Sequence, residues 1–74
     1  MEDFSTKDFN TMVLLRYYGF KFSRVESEKG IKRVFTANTN DLQNLLLDYD
    51  NGNLEVEPKE WMRTVDDIKE FVHR

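Results

Sequence analysis

The chain of 74 residues has no cysteine, and it has only one histidine and one proline. The absence of cysteine excludes disulfides, thiolate metal sites and a cysteine nucleophile, and it is compatible with a reducing cytoplasm, where we expect the protein to reside. Nucleophilic catalysis of the hydrolase type needs a base beside the nucleophile. The one histidine, His73, stands next to the last residue of the sequence, where we expect fraying rather than a fixed catalytic geometry.

Other catalytic patterns are missing as well. The three glycines are scattered and no GxxxxGK[ST] motif is present, so the sequence offers no phosphate-binding loop. Asp66 and Asp67 are paired carboxylates, but adjacent residues of a helix point in different directions, and Asp67 suits a capping role better. We therefore predict that the protein is not an enzyme and that it carries neither a cofactor nor a metal ion.

Long apolar runs are absent too. No run approaches the roughly 18 residues of a membrane span, and the acidic start MEDFSTKD differs from the basic and then apolar start of a signal peptide. We expect no membrane association. The net charge of −3 is unevenly divided: residues 1–40 carry seven basic and five acidic side chains, whereas residues 41–74 carry four basic and nine acidic ones. Such asymmetry can orient a charged partner.

The apolar content is sufficient for one folded domain. Hydrophobic residues make up 39% of the chain and aromatic residues 14%, which is too much for a disordered protein. A chain of this length forms one small core of modest stability. We therefore treat residues 1–74 as a single domain.

The stretch DYDNGNLEVEPKE, residues 48–60, is similar at first sight to a calcium-binding loop. An EF-hand loop needs oxygen ligands at positions 1, 3 and 5, glycine at 6 and glutamate at 12. A start at Asp48 puts Gly52 at position 5 and Lys59 at position 12. A start at Leu47 puts Gly52 at position 6, but then Leu47 and Tyr49 take ligand positions. No register works, so we interpret Asn51-Gly52 as a helix stop with left-handed geometry.

Periodicity and capping patterns predict three helices. The start signals are Ser5-x-x-Asp8, Asn40 with Gln43, Pro58 for a short helical turn, and Thr64-x-x-Asp67 for the last helix. The stop signals are Gly19 and Asn51-Gly52.

Alternating apolar residues predict the strands. A short strand at 3–5, a hairpin turning at Gly30 and a strand at 53–57 follow from this pattern. We predict core-facing side chains in the hairpin at Phe20, Phe22, Ile31, Phe35 and Ala37. We predict solvent-facing ones at Lys21, Lys32 and Thr36. The order (β)αββαβα predicts an α+β fold, with a small three- to four-stranded, mainly antiparallel sheet and about three helices on one face.

Five segments together resemble a family of uncharacterised small proteins from bacteriophages and Gram-positive bacteria, known as a domain of unknown function. The segments are FSTKDF, GFKF, RVFTAN, LLLDYDNGNLEVEPKEW and DDIKEFV. They cover nearly the whole chain but consist mainly of capping, turn and core residues. The resemblance implies no activity and no functional residues. What the resemblance implies is a small accessory protein of phage type that either binds and modulates a host protein or self-associates.

Apolar positions beyond the main helical stripes are the candidate partner-binding residues. The first helix is apolar around more of its circumference than one core-facing surface requires, and Tyr and Trp often anchor interfaces. The candidates are Leu14, Leu15, Tyr18, Leu47 and Trp61. They predict a protein partner or a homodimer. The alternative is that the sheet needs more cover and that these residues complete the core.

Nucleic-acid binding is the alternative function. The stretch KGIKRVF is faintly similar to the basic and aromatic strand of RNA-recognition motifs, and the candidate contacts are Lys21, Lys32 and Arg33. Stacking on bases needs exposed aromatic side chains, whereas we predict that Phe20, Phe22 and Phe35 face the core. The isoelectric point near 5.0 also opposes a large phosphate footprint. We therefore favour protein binding.

Overall fold

The computed structural model of the protein describes residues 3–73. Over this range the elements are β1 (Asp3–Thr6), α1 (Phe9–Tyr17), β2 (Arg24–Glu28), β3 (Ile31–Ala37), α2 (Asn40–Asp50) and α3 (Pro58–Val72). The α+β class and the antiparallel sheet are thus confirmed. Within residues 3–73, no helix is long and apolar enough to cross a bilayer.

The three described strands lie in the order β1-β3-β2, and both neighbours run antiparallel to β3. β2 and β3 form a hairpin whose loop is Lys29-Gly30, with Glu28 paired to Ile31. Both loop residues have positive φ, 53° and 80°, as a type I′ turn requires. β1 and β2 are therefore the two edges of the sheet.

The N-cap of α1 lies three residues later than the predicted cap, Ser5. Asp8 itself is the N-cap, and its carboxylate accepts hydrogen bonds from the Thr11 N–H at 2.9 Å and the Thr11 hydroxyl at 2.8 Å. Ser5 lies in β1 instead. The predicted stop at Gly19 is confirmed: Gly19 has φ +84°, and the Phe20 N–H reaches back to the Leu15 carbonyl at 2.9 Å, which closes the helix in a Schellman motif.

The face assignment of the hairpin was wrong. Val34 and Thr36 are the buried residues of β3, whereas Ile31 is exposed and Phe35 is half-buried on the opposite face. The Thr36 hydroxyl is satisfied inside because it donates to the Lys21 carbonyl at 2.8 Å. Side chains alternate along a strand, so Ile31, Arg33, Phe35 and Ala37 lie on the face away from the helices. We call this the open face.

The first hairpin strand is also shorter than predicted. β2 begins at Arg24, so Phe20 and Phe22 lie in the connection from α1 and not on a strand. Phe22 nevertheless packs against the buried core, with its ring 5.6 Å from the ring of Phe71. Its predicted burial was partly right, since it is half-buried, but the strand was not its cause.

Two predictions for the second half of the chain were also wrong: the N-cap of α2 and the division of the last helical region into a short turn and a helix. Thr39, not Asn40, is the N-cap of α2, and its hydroxyl accepts from the Leu42 N–H at 3.2 Å. The predicted short turn and last helix are one continuous helix, α3, which has Pro58 in its first turn as predicted. Thr64 lies inside it and donates its hydroxyl to the Glu60 carbonyl at 2.8 Å.

The segment 53–57 forms no strand. The predicted stop before it is confirmed, because Gly52 has φ +70° and the Asn53 N–H bonds the Asp48 carbonyl at 2.9 Å. Residues 48–60 therefore comprise the end of α2, a connection that pairs with no strand, and the first turn of α3.

The core lies between the sheet and the helices α1 and α3. Met12, Val13, Val34 and Ile68 form the buried cluster. Half-buried side chains surround this cluster: Phe9, Phe22, Trp61, Val65, Phe71 and Val72. Leu14 and Leu15 are buried too, so four consecutive residues of α1 are inside. A helix that is buried around its circumference needs apolar residues on all sides, which explains the surplus in the sequence.

Candidate protein-binding site

Two tyrosines at the end of α1 hold the connection between α2 and α3. The Tyr18 hydroxyl donates to the Glu55 carbonyl at 3.0 Å, and the Tyr17 hydroxyl accepts from the Glu57 N–H at 2.9 Å. Glu57 is also the N-cap of α3, since its carboxylate accepts from the Glu60 N–H at 2.7 Å. The backbone of 53–57 is therefore fixed to α1 by side-chain hydroxyls rather than by a neighbouring strand.

Aromatic contacts extend this arrangement to α3. The rings of Tyr17 and Tyr18 lie 5.0 Å apart in an edge-to-face geometry, and the ring of Tyr17 lies 5.5 Å from that of Trp61. Aromatic pairs at these separations attract each other beyond their burial. Tyr17 thus links the end of α1 to the first turns of α3.

An apolar depression opens beside these aromatic rings. Its volume is about 250 Å³, and it is lined by Leu14, Tyr49, Gly52, Leu54, Val56 and Trp61. We call it the 49–61 cleft. Leu14 is buried, whereas Tyr49 and Val56 remain 40% and 38% exposed, so part of the lining faces solvent. A cleft of this size is smaller than the roughly 300–1,000 Å³ of ordinary small-molecule sites.

The chain that lines the 49–61 cleft is acidic. Between residues 48 and 60 there are five carboxylates and one lysine, and all six side chains belong to exposed residues. Asp48 and Asp50 flank Tyr49, Glu55 stands between Leu54 and Val56, and Glu60 precedes Trp61. Apolar and acidic residues therefore alternate here, and the segment carries a net negative charge.

The predicted partner-binding residues divide into three groups. Leu14 and Leu15 are buried, in agreement with the alternative that these residues complete the core. Tyr18 is 37% exposed and Trp61 is half-buried, and both belong to the aromatic group beside the 49–61 cleft. Leu47 is 59% exposed on α2 but does not line the cleft. The binding role of these residues stays a prediction.

Three apolar side chains that line the cleft, Tyr49, Leu54 and Val56, were not among the predicted binding residues. Leu54 and Val56 lie in the segment 53–57 that was predicted as a strand, and Tyr49 lies just before the predicted helix stop at Asn51-Gly52. The signal that could have found them is the combination of a helix stop at Gly52 with a helix start at Pro58. Few residues separate the two, so apolar side chains between them must lie near both helix ends.

The basic residues of the hairpin do not form one surface. The Lys32 ammonium lies 4.9 Å from the ring of Phe71 on the helix side, whereas the Arg33 guanidinium donates to the Ser5 hydroxyl at 3.3 Å. Lys32 is half-buried and was wrongly placed in solvent. Lys21 is exposed in the connection before β2, in agreement with its prediction.

Phe35 lies on the open face, contrary to the prediction that it faces the core. Ser5, Phe35 and Arg24 form one row across the three strands. The guanidinium carbon of Arg24 lies 3.9 Å from the centre of the Phe35 ring, at cation–π distance. Arg24 also forms a salt bridge of 3.2 Å with Glu26. Phe35 therefore does not belong to the core between the sheet and the helices, although its ring is covered by Arg24.

Among residues 3–73, no group of three or more histidine or carboxylate side chains could hold a metal ion. Comparison of the chain with curated proteins gave no match, and comparison with solved structures gave none either. A protein-family model, described as a domain of unknown function (DUF5659), matches residues 1–73. This match spans nearly the whole sequence and agrees with the resemblance to an uncharacterised family. The chain belongs to the DUF5659 family.

Proposed function

We propose that this protein is a small, non-enzymatic accessory module that binds another protein through the 49–61 cleft. The observation that carries the proposal is an apolar cleft of about 250 Å³ whose lining residues alternate with exposed carboxylates. The expected partner segment presents one large apolar side chain with lysine or arginine on both sides. The resemblance adds that the partner is a host protein and the setting is of phage type, and this finer part rests on the resemblance alone.

The chemistry of the cleft favours a side chain over a metabolite. Its lining offers rings and aliphatic groups, while the hydroxyls of Tyr17 and Tyr18 are already engaged with the backbone of Glu57 and Glu55. Small-molecule sites combine an apolar pocket with polar groups that orient the ligand. Here the polar groups stand around the apolar lining, which is the layout of a protein interface with an apolar centre and a polar rim.

The walls of the cleft are held in place before a partner arrives. The two tyrosine hydroxyls fix the 53–57 segment, and the hydrogen bond from the Asn53 N–H to the Asp48 carbonyl fixes the end of α2. A surface that is ordered in the free protein loses less conformational entropy on binding. A single buried anchor can then provide most of the affinity, as hot-spot residues do.

The test uses the single tryptophan of the chain. Trp61 lines the cleft, so its fluorescence should change when a peptide without tryptophan enters. The probe is a synthetic peptide with leucine at the centre and lysines and arginines on both sides. Control peptides replace the leucine with alanine, or the basic residues with glutamate. We expect saturable binding of the first peptide, weakened by added salt, and markedly weaker binding of both controls.

Two variants on α2 provide a matched comparison. Tyr49 lines the cleft and Leu47 does not, although both are exposed on the same helix. We expect Tyr49→Ala to weaken peptide binding by about tenfold, as loss of a hot-spot aromatic does. Leu47→Ala should leave the affinity unchanged. No fluorescence change with any peptide, or equal effects of the two variants, would refute binding at this cleft.

Nucleic-acid binding is the second candidate function, and the position of Phe35 on the open face favours it. Arg33 shares this face, but Glu26 pairs directly opposite Arg33 and Glu28 pairs opposite Ile31, and both carboxylates oppose a phosphate backbone. Retardation of single-stranded RNA or DNA that falls with salt would support it. Arg33→Glu should then abolish binding and Lys32→Glu should not, because Lys32 lies on the helix side.

A further inference from the structure

The outer edge of β2 is an edge of the described sheet at which another strand could pair. β2 pairs only with β3 in the described sheet, and all five of its residues are exposed. We propose that a second copy of this chain pairs antiparallel with β2, in a two-fold arrangement centred on Val25. The dimer would join two three-stranded sheets edge to edge. The dimer does not involve the 49–61 cleft, so each of the two proposals can be tested without the other.

The hairpin turn determines which backbone groups are free. In a hairpin with a two-residue loop, the pair that flanks the loop exchanges both hydrogen bonds, and bonded pairs then alternate along the strands. The flanking pair here is Glu28–Ile31. Arg24, Glu26 and Glu28 therefore direct their N–H and C=O groups toward β3. Val25 and Ser27 direct theirs outward. In a pair centred on Val25, Ser27 lies opposite Ser23 of the copy, whose N–H already bonds the Phe35 carbonyl at 2.6 Å, so the complete pair of intermolecular hydrogen bonds is the one made by Val25.

The charges of β2 favour pairing with itself in one register. Arg24 stands at the start of the strand, and the acidic residues Glu26 and Glu28 follow it. Centring an antiparallel pair on Val25 places Arg24 of each copy opposite Glu26 of the other. Centring it on Glu26 places two glutamates in contact, and centring it on Arg24 places two arginines in contact. Opposite charges directly across a pair of strands attract and like charges repel, so the Val25 register is preferred.

Val25 adds an apolar contact at the centre. It is 42% exposed, and with Phe22 and Phe71 it lines an open groove on the helix side of the sheet. In the proposed register the outward N–H and C=O of Val25 bond those of its copy, and the two valine side chains meet above that groove. Their contact removes apolar surface from water, which favours association.

A second copy fits this edge better than an arbitrary strand. Charged residues on an edge strand normally discourage pairing, because a neutral or like-charged strand leaves them without partners. β2 itself supplies the complementary sequence when it runs in the opposite direction. The same charges that exclude other strands therefore select this one, as in interfaces that combine attraction with repulsion.

The experiment measures association by sedimentation of the full chain at several concentrations. We expect a monomer–dimer equilibrium that shifts toward monomer as salt is raised. Arg24→Glu places glutamates opposite glutamates and should raise the dissociation constant by about tenfold or more. Arg24→Glu combined with Glu26→Arg restores opposite charges in the same register and should restore dimerisation. Lys59→Glu, at an exposed site on α3, changes the net charge equally and should have no effect.

Val25→Pro is a second variant that does not alter charge. Its N–H points away from β3, so proline removes the intermolecular bond without removing a bond of the hairpin, and the variant should be monomeric with an unchanged circular dichroism spectrum. In the wild type, exchange of the Val25 amide proton should slow as concentration rises. A wild type that remains monomeric to about 1 mM, dimers that tolerate Arg24→Glu or Val25→Pro, or a charge reversal that fails to restore dimers would each overturn the proposal.

Discussion

The same substitution at two leucines separates core from surface in this domain. Leu14 of α1 is 1% exposed, whereas Leu47 of α2 is 59% exposed. Leu14→Ala removes buried methyl groups and leaves a cavity, and such changes cost about 2–5 kcal/mol. Leu47→Ala removes a side chain that is largely in water, so its effect on the free energy of unfolding should stay within about 0.5 kcal/mol.

The free energy of unfolding that Leu14→Ala removes is large compared with the total stability of so small a protein. At roughly 0.05–0.15 kcal/mol per residue, 74 residues give about 4–11 kcal/mol in total. Leu14→Ala therefore removes a substantial share of the free energy of unfolding. With about 4–8 °C per kcal/mol for a domain of this size, Tm should fall by roughly 8–40 °C. Leu14→Asp would bury an unpaired carboxylate and should prevent folding altogether.

Urea denaturation followed by circular dichroism, together with thermal unfolding, measures both variants against the wild type. Leu14 also lines the 49–61 cleft, so Leu14→Ala should enlarge the cleft in the fraction that remains folded. A loss below about 1 kcal/mol at Leu14 is smaller than a buried leucine allows. That result, or equal losses at Leu14 and Leu47, would refute the assignment of Leu14 to the core.

Three smaller predictions follow from the hydrogen bonds and the turn. Tyr17→Phe removes the acceptor of the Glu57 N–H and should cost about 0.5–1.5 kcal/mol in urea denaturation, with faster amide exchange at Glu57. Thr36→Val leaves the Lys21 carbonyl without its donor and should cost about 1–3 kcal/mol; an unchanged denaturation midpoint would contradict this role. Lys29→Asn places a residue that tolerates left-handed geometry at φ 53° and should raise stability by about 0.5–1 kcal/mol in thermal unfolding, whereas a lower Tm would contradict the turn assignment.

Local signals in the sequence predicted local structure well. Gly19 and Gly52 end α1 and α2, and Pro58 lies in the first turn of α3. Each of these depends on the conformational preference of a few adjacent residues, which the sequence contains completely. The caps at Asp8 and Thr39 were each predicted at a nearby residue, because several oxygen-bearing residues precede each helix and only the packed chain selects one.

The faces of β3 could not be predicted from alternation alone. In the sequence, the alternating set that contains Ile31, Phe35 and Ala37 is more apolar than the other set of β3. The structure nevertheless places Val34 and Thr36 toward the helices. The inner set is acceptable because its polar members find partners: Thr36 bonds a carbonyl and the Lys32 ammonium lies against the ring of Phe71. These partners are distant in sequence, so the pattern of one strand does not reveal them.

Only part of the candidate site could be predicted, again because burial depends on contacts between residues that are distant in sequence. The apolar surplus of α1 was recognised, but whether it meets solvent depends on how many elements cover that helix. The buried residues of α1, α2 and α3 show that the cover is larger than the stripe pattern implies. Tyr18 and Trp61 remain partly accessible, whereas Leu54 and Val56 joined the site because the segment 53–57 forms no strand.

The central position of β3 has a consequence for the order of folding. The hairpin of β2 and β3 joins residues that are close in sequence, and such hairpins form within about 1–10 μs. β1 must instead find β3 across α1 and β2, since Asp3 pairs with Ala37, and the entropy of closing that long loop slows the step. On a ribosome, β1 emerges before its binding edge has been made. We therefore expect β1, the first strand in the sequence, to be the last strand to join the sheet.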